Sequence, residues 1–221
     1  INTINQPADP EATLETRRKV LDLCAGSGAI GVAIARHCPD VTVDFIEIDQ
    51  TLHSTIVRNY QTNLQNQNHT KSSRPGLEHQ HQPTIVAANI FTSITENPSI
   101  QDENNTAQQS ASSSRPGLEL ERYDYIVTNP PYIDPALDRT APSVTRFEPH
   151  LALYGGDAGM EYITRIITDS PQHLRHHGQL WIEHEPEQVT AITKLALANN
   201  FHCTTHNDQY GTARYSILVL Q

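Results

Sequence analysis

The chain has 221 residues and a formal net charge of −10, from 25 acidic against 15 basic side chains. This length fits one domain over residues 1–221, and no apolar run approaches the roughly 20 residues that span a bilayer, so we expect no membrane contact. The acidic balance, without a basic cluster that could follow a phosphate backbone, argues against nucleic acid as the main substrate.

Cysteine and histidine usage argues against a disulfide framework and against a metal site. The three cysteines, at positions 24, 38 and 203, are too few and too scattered for disulfides or paired zinc ligands. The twelve histidines show no helical or hairpin ligand spacing, so we predict no metal.

We expect an intracellular protein in a reducing compartment, the cytoplasm or the mitochondrion. Because the chain begins with Ile1 rather than Met, we also expect a fragment.

The first half of the chain alternates apolar strands with helices. A nearly continuous apolar run at 20–24 predicts a strand that is buried on both faces and leads directly into glycines. Residues 29–37 predict a helix, 41–48 a second strand, 51–64 a second helix and 84–88 a third strand. This βαβ pattern predicts a parallel sheet.

Two polar stretches interrupt this pattern. Residues 65–83 and about 95–119 are rich in Asn, Gln and Ser. They cannot offset the entropy of ordering by burying apolar area, so we interpret them as insertions. Both contain the heptapeptide Ser-Ser-Arg-Pro-Gly-Leu-Glu, at 72–78 and 113–119. Because this spacing does not continue along the chain, a solenoid of repeats is excluded.

The second half opens on a strand that ends in an unusual tetrapeptide. Residues 123–128 predict the fourth strand, and Asn129-Pro130-Pro131-Tyr132 follows it directly. After a long connection, the pattern predicts a helix at 159–175, a strand at 179–183, a helix at 186–200, and two strands at 201–206 and 214–220. The short turn between the last two strands makes them antiparallel.

The turn after the first strand suits a nucleotide-sized ligand. The sequence Gly26-Ser27-Gly28 lies between strand and helix, where glycines let a ligand approach the backbone amides. Glu47 lies about twenty residues further on, where a carboxylate accepts hydrogen bonds from ribose hydroxyls. Asn89, at the predicted end of the third strand, is a candidate contact to adenine or a turn cap, and Asp49 predicts the N-cap of the second helix.

Asn129-Pro130-Pro131-Tyr132 is a candidate catalytic and substrate-binding motif. In a doubly wound sheet it would face the glycine turn, because ligands bind at the carboxyl ends of the strands where the strand order reverses. The carbonyls of Asn129 and Pro130 can accept the two N–H groups of a planar amide, while Pro131 stiffens the backbone and Tyr132 packs on the amide. If the cofactor is S-adenosylmethionine, its sulfonium methyl needs only proximity and oriented acceptors for in-line transfer.

From about residue 20 to the C-terminus the chain resembles the HemK/PrmC protein glutamine methyltransferases. The resemblance rests on Val-Leu-Asp-Leu-Cys-Ala-Gly-Ser-Gly-Ala-Ile at 20–30, Ile-Val-Thr-Asn-Pro-Pro-Tyr-Ile at 126–133, and the segments 147–153, 156–160, 181–184 and 208–214. The tetrapeptide alone is shared with adenine-N6 DNA methyltransferases. Glu148-Pro149 and Gly-Asp-Ala-Gly-Met at 156–160 narrow the resemblance to the protein-modifying branch.

The resemblance implies a fold, a reaction and a set of site residues. The fold would be α/β, of the Rossmann-like class I S-adenosylmethionine-dependent methyltransferases, with a seven-stranded, mostly parallel sheet and an antiparallel last strand. The reaction would be methyl transfer from S-adenosylmethionine to a protein glutamine side chain, that of Gly-Gly-Gln in a peptide-chain release factor, by a monomer. The cofactor would contact Asp22, Cys24, Ala25, Gly26, Ser27, Gly28, Glu47, Asn89, Ile90 and Asn129. The substrate would contact Asn129, Pro130, Pro131, Tyr132 and Glu148, of which Asn129, Pro130 and Tyr132 would be catalytic.

Departures from the family pattern leave alternatives open. The family has Asp in place of Glu47 and often in place of Asn89, and commonly Gly in place of Glu185, and we expect its N-terminal helical docking domain to be absent from this chain. A ribosomal-protein glutamine methyltransferase would share the same motif, as would, more remotely, an adenine-N6 nucleic-acid methyltransferase. A nicotinamide-dependent oxidoreductase would use the glycine turn but give the tetrapeptide no role. A silent binding protein would hold the cofactor without forming product.

Overall fold

The computed structural model describes residues 17–38, 40–65, 83–87, 122–137, 146 and 149–221. The strands are β1 Arg18–Leu23, β2 Val41–Ile46, β3 Ile85–Val86, β4 Tyr123–Thr128, β5 Leu174–Glu183, β6 Phe201–Asn207 and β7 Ala213–Leu220. The helices are α1 Ala29–His37, α2 His53–Gln65, α3 His150–Leu153, α4 Glu161–Asp169 and α5 Val189–Ala198. Nearly all of both predicted polar insertions lies outside the described residues.

The strands of the described residues form one seven-stranded sheet in the order β3-β2-β1-β4-β5-β7-β6. Neighbours from β3 to β5 are parallel, whereas β7 is antiparallel to both β5 and β6. The predicted mostly parallel sheet with an antiparallel last strand is therefore confirmed. Leu23, at the end of β1, pairs with Ile46 of β2 and with Thr128 of β4. The carboxyl ends of these three strands meet at one edge of the sheet, where the strand order reverses.

Two hydrophobic clusters cover the two faces of the sheet. One contains Leu21, Leu23 and the apolar face of α4, and the other contains Val20, Phe45 and the buried side of α1. Neighbouring residues of β1 thus pack into opposite clusters. The prediction of a strand buried on both faces is confirmed, and it explains why this segment is almost continuously apolar.

The helix predicted at 159–175 and the strand predicted at 179–183 are both present, but the predicted end of the helix and the predicted start of the strand are wrong. The helix α4 ends at Asp169, and a 3-10 turn with Pro171 at its start follows, because proline supplies no amide to continue the helix. The strand β5 begins at Leu174, which is fully buried and pairs with Tyr123. The register then shifts within the strand, where His177 has a φ of 61°. A bulge therefore absorbs the polar residues that suggested a break.

Other predicted elements are present with shifted ends. The second strand stops at Ile46, and a 3-10 turn Gln50–Leu52 precedes α2. Asp49 was predicted to cap α2; it caps this 3-10 turn, which leads into α2, by accepting a hydrogen bond from the Thr51 amide at 2.9 Å. The three cysteines are free. Among the residues that the structure describes, no helix is long and apolar enough to cross a membrane.

Candidate active site

A cavity of about 750 Å³ lies at the edge of the sheet where β1, β2 and β4 end. Of the predicted site residues, seven line it: Cys24, Ala25, Gly26, Ser27, Glu47, Asn129 and Pro131. The structure therefore brings the glycine turn and part of the tetrapeptide to one cavity, although they lie about a hundred residues apart in the chain. Its volume is in the range of pockets that hold cofactor-sized molecules.

The turn after β1 is built from left-handed backbone conformations. Cys24, Gly26 and Gly28 have φ angles of 59°, 55° and 78°. The Gly28 amide donates to the Ala25 carbonyl at 2.8 Å, which closes the turn. A Cβ added at Gly26 would meet no atom within 4 Å, so this face of the turn is open to a ligand. At Gly28 a Cβ would lie 3.2 Å from Ile56, so this residue packs on α2 and does not line the cavity.

Glu47 ties the glycine turn to the end of β2. Its carboxylate accepts hydrogen bonds from the Gly26 amide at 2.7 Å and the Asp49 amide at 2.8 Å, and the residue is 8% exposed. A carboxylate offers about four acceptor positions, so positions remain for the hydroxyl groups of a ligand. Glu47 can therefore hold the turn and bind a ribose at the same time.

Asp22 supports the turn from behind. It is 1% exposed, does not line the cavity, and accepts a hydrogen bond from the Gly31 amide at 2.8 Å. Burial raises the pKa of its carboxyl to about 7, the charge of Glu47 adds to the rise, and the Gly31 amide opposes it. A Cβ added at Gly31 would lie 2.5 Å from Phe45 and 2.9 Å from Asp22, so helix and strand meet here in close contact.

Cys24 lines the cavity as a neutral thiol. Burial raises the pKa of this thiol to about 12, and the charges of Glu47 and Asp22 add to the rise. The nucleophilic form of cysteine is the thiolate, which this environment suppresses. The side chain is therefore suited to packing against a ligand rather than to covalent chemistry.

The four residues of the tetrapeptide lie partly at the cavity and partly in the interior. Asn129 is exposed and lines the cavity together with Pro131, whereas Pro130 is buried and its side chain lies outside the lining. Tyr132 also lies outside it, half-buried, with its hydroxyl donating to Glu183 at 2.9 Å. Burial and the Glu183 charge raise the pKa of Tyr132, so the phenol stays protonated. The structure thus presents Asn129 to a ligand and places the Tyr132 side chain as a support.

The loop after β4 is covered by the chain around α3. The Ile133 amide donates to the Leu153 carbonyl and the Gly155 amide donates to the Ile133 carbonyl, both at 3.0 Å. A Cβ added at Gly155 would lie 2.5 Å from the Pro131 oxygen, so glycine permits the two backbones to approach. Through this pairing, Leu151 and Ala152 of α3 come to line the cavity.

The chain is similar to known glutamine methyltransferases. A family model, "Methyltransferase small domain", matches residues 10–113, which carry the glycine turn and Glu47. The chain is 30% identical to a ribosomal protein uL3 glutamine methyltransferase of Bradyrhizobium diazoefficiens, over 75% of this chain and 40% of the relative. It is 27% identical to a release factor glutamine methyltransferase of Streptococcus pneumoniae, over 93% of this chain and 60% of the relative. The predicted resemblance to the HemK/PrmC glutamine methyltransferases is confirmed.

The similarity to solved structures supports the fold. A methyltransferase from Pyrococcus furiosus has a TM-score of 0.54 at 14% identity, with 92% of this chain and 74% of that chain covered. The predicted fold of class I S-adenosylmethionine-dependent methyltransferases is confirmed. The chain spans between 40% and 60% of the length of the curated HemK/PrmC relatives that it matches.

Several residues of the site were missed or cannot be placed. Asn89, Ile90 and Glu148 were predicted to contact cofactor or substrate, and they lie outside the described residues. Sequence reasoning missed the apolar part of the lining, which includes Ile30, Ile46, Ile48, Leu52, Leu151 and Tyr162. It also assigned Asp49 only as a helix cap, although Asp49 lines the cavity two residues after Glu47. Within the described residues, no group of three or more His, Cys, Asp or Glu side chains could hold a metal ion.

Proposed function

We propose that this chain transfers a methyl group from S-adenosylmethionine to the side-chain amide nitrogen of a protein glutamine. The observation that carries the proposal is the shared cavity, which Gly26 and Glu47 line on one side and Asn129 and Pro131 on the other. A site with both sets of groups can hold a nucleoside cofactor beside a planar amide. The similarity to ribosomal-protein and release-factor glutamine methyltransferases supports the same reaction.

The residues at the glycine turn fit this cofactor. Gly26 is open toward the cavity, and the Glu47 carboxylate has acceptor positions left for ribose hydroxyls. Ile48 and Leu52 add apolar surface next to Glu47, as a nucleobase requires. When bound, S-adenosylmethionine supplies an electrophilic methyl group. The chain supplies the position and orientation of that group.

The residues after β4 act on the amide. The side-chain oxygen of Asn129 and the backbone oxygen of Pro130 would each accept one N–H of the glutamine amide. These two acceptors would aim the nitrogen at the methyl group and stabilise the positive charge that develops on the nitrogen. The N–C bond would form as the bond between sulfur and the methyl group breaks, S-adenosylhomocysteine would leave, and the nitrogen would release one proton to water. Proximity and orientation of this kind suffice for such a transfer because it needs no strong acid and no protein nucleophile.

We propose the glutamine of Gly-Gly-Gln in a peptide-chain release factor as the substrate, and a monomer as the active species. The release factor methyltransferase of Streptococcus pneumoniae matches 93% of this chain. A second candidate is a glutamine of ribosomal protein uL3. The observation that favours it is the higher identity, 30% against 27%, to a methyltransferase with that substrate name.

Mass spectrometry on the two candidate substrates tests the proposal. The protein is incubated with S-adenosylmethionine and, in separate reactions, with a release factor or with ribosomal protein uL3, with cofactor-free reactions as controls. We expect a methyl-sized mass addition on the glutamine of Gly-Gly-Gln. An addition confined to a glutamine of uL3 would select the second candidate. Binding of S-adenosylmethionine without addition to either protein would refute the reaction.

A further inference from the structure

A buried amide at the start of α5 contacts the loop after β4. Gln188 is 5% exposed, ends the 3-10 turn Pro186–Gln188 and caps α5. Its Nε2 donates to the carbonyl oxygens of Tyr132 at 2.9 Å and Ala158 at 3.1 Å. Its Oε1 accepts a hydrogen bond from the Glu185 amide at 2.9 Å. Both N–H groups and the oxygen of this side chain are therefore engaged.

The neighbours of Gln188 fix the orientation of its amide. Tyr132 and Ala158 present only carbonyl oxygens to it, and Glu185 presents a backbone N–H. The flipped amide would place oxygen against two oxygens and N–H against N–H, which would lose all three hydrogen bonds. Because the Gln188 amide has a single favourable orientation, it can hold the Tyr132 and Ala158 carbonyls at defined positions.

The two partners of Gln188 belong to separate loops that meet above the sheet. Tyr132 ends the tetrapeptide, and Ala158 lies between Gly155 and Gly159, which both approach the tetrapeptide backbone. A Cβ at Gly159 would overlap the Tyr132 oxygen and the Gln188 amide, and its φ is 67°. The glycines allow the loops to touch, and the Gln188 side chain joins them by hydrogen bonds.

The tetrapeptide needs such an external contact because its own backbone offers few donors. Pro130 and Pro131 carry no N–H, so neither residue can anchor the loop through an amide. The Tyr132 amide follows them, and the amide after it, that of Ile133, donates to the Leu153 carbonyl at 3.0 Å. Within the tetrapeptide, the Tyr132 carbonyl accepts a hydrogen bond from Gln188 and the Tyr132 hydroxyl donates one to Glu183.

We propose that Gln188 is a positioning residue for the methyl transfer. It does not line the cavity, so it acts through the loop and not on the ligands. By holding the Tyr132 and Ala158 carbonyls together, Gln188 sets the backbone from which Asn129 and the Pro130 carbonyl face the glutamine amide. The expected effect of Gln188 on kcat rests on the proposed function. The expected effect on the rigidity of the loop does not, because amide hydrogen exchange can be measured without any activity.

The test replaces Gln188 by methionine, which has a similar length but no N–H donors. We expect hydrogen exchange of the Ile133 and Gly155 amides to accelerate about tenfold, as the loss of one or two buried hydrogen bonds allows. We expect kcat to fall between about tenfold and 100-fold, as for a misplaced catalytic group. The Kd of S-adenosylmethionine should stay within about twofold of wild type.

Glu185→Ala is the matched control. Glu185 and Gln188 form one capping box at the start of α5, and Gln188 is the member that contacts the two loops. Both substitutions weaken the same helix start, and urea unfolding of both variants measures that shared effect. If Gln188 acts by positioning, exchange of the Ile133 amide and kcat change in the Gln188→Met protein and stay within about twofold of wild type in the control.

A second variant covers the case in which Gln188→Met does not fold. Gln188→Glu has the shape of the native side chain and regains one donor only when its carboxyl is protonated. The ratio of its kcat to that of wild type should therefore rise as the pH falls, which a role limited to packing would not produce. A flat ratio would contradict the inference.

The outcomes separate this inference from the proposed function. Unchanged exchange in Gln188→Met, or equal acceleration in Gln188→Met and Glu185→Ala, would overturn the positioning role. Acceleration confined to the Gln188 variant supports that role even if wild-type protein methylates neither a release factor nor uL3. In that case the proposed function alone would fail.

Discussion

The two sides of the cavity are held in place in different ways. On the cofactor side, the Gly28 amide bonds to Ala25, and the Gly31 amide bonds to Asp22 nine residues earlier. On the substrate side, Tyr132 is held by Glu183 and Gln188, which lie 51 and 56 residues away in the chain. Apart from the bonds of the Ala25 and Gly26 amides to Ile46 and Glu47, the glycine turn is thus held by contacts within ten residues. The position of the tetrapeptide depends instead on the assembled sheet and on α5.

Because the two sides are held by different contacts, we expect substitutions to affect either cofactor binding or methyl transfer, but not both. A change on the substrate side leaves the turn hydrogen bonds intact, so the cofactor should still bind while transfer fails. A change on the cofactor side should weaken binding of the cofactor and spare transfer once the site is saturated. Substitutions that obey this division would support two independent sides, and substitutions that disturb both would show coupling across the cavity.

The largest expected effect follows from Asn129→Ala. This substitution removes the exposed side-chain oxygen beside the cavity, one of the two proposed acceptors for the amide. We expect kcat to fall by about 100-fold or more, the scale seen when one oriented hydrogen-bonding group is deleted from an active site. The Kd of S-adenosylmethionine should change by less than about threefold. Transfer of labelled methyl and calorimetric titration measure the two quantities.

Asn207→Ala is the control for this prediction, because Asn207 is exposed at the end of β6 and does not line the cavity. It should behave as wild type in both measurements. Full transfer activity of Asn129→Ala would remove the main support for the proposed reaction. A large loss of cofactor binding in the same variant would instead show that Asn129 serves both sides.

The locally encoded side of the cavity was also the side that the sequence described best. The predicted glycine turn, the helix Ala29–His37 and the cap at Asp49 follow from residue types within a few positions of each other. Positive φ angles at Gly26 and Gly28 are a local requirement that glycine meets, so the pattern could be read directly. The sheet order followed from βαβ patterns and the short final turn, which are local as well.

The contacts on the substrate side and the bulge in β5 depend on tertiary packing, which no local sequence pattern reveals. Nothing near Gln188 in the sequence indicates that its amide would bond to Tyr132. Tyr132 was expected to pack on the substrate amide, and no local pattern indicated that its hydroxyl would donate to Glu183, 51 residues away. The break expected at His177-Gly178 is a bulge inside β5, since buried Leu174 pairs with Tyr123 and keeps the chain in the sheet. Such outcomes depend on which distant segments pack together.

A smaller effect, on the other side of the cavity, is expected for Glu47→Gln. The native carboxylate accepts from two backbone amides, and a glutamine would turn an N–H group toward one of them. We expect the Kd of S-adenosylmethionine to rise about tenfold, the scale of one lost hydrogen bond to a charged group. With saturating cofactor, kcat should fall less than about threefold. Titration calorimetry and saturation kinetics provide the two values.

Glu187→Gln, at an exposed position in the turn before α5, is the matched control for the same chemical change. Glu187→Gln should leave the Kd of S-adenosylmethionine and kcat unaltered. If Glu47→Gln lowered kcat strongly at saturating cofactor without raising the Kd, the carboxylate would be acting on transfer. The division between the two sides would then be wrong.

The smallest expected effect concerns stability and its dependence on pH, through Asp22→Asn. Burial raises the pKa of Asp22 to about 7, above the value of about 3.9 for an unfolded chain. Between these values the folded protein keeps a proton that the unfolded chain has lost, so the contribution of Asp22 to stability falls as the pH rises through this window. Asparagine does not titrate, and its side-chain oxygen can still accept the hydrogen bond from Gly31.

The free energy of unfolding of Asp22→Asn, minus that of wild type, should therefore increase by about 1 kcal/mol or more between pH values of about 4 and 7, and then level off. Urea unfolding of both proteins at several pH values measures this difference, in which the titration of all other groups cancels. Because Asp22 lies behind the turn and outside the cavity lining, cofactor affinity should hardly change. A difference that stays flat with pH would show that the carboxyl is ionised in the folded protein throughout this window. A weakened affinity would show that the buried carboxyl, and not only the turn in front of it, belongs to the cofactor side.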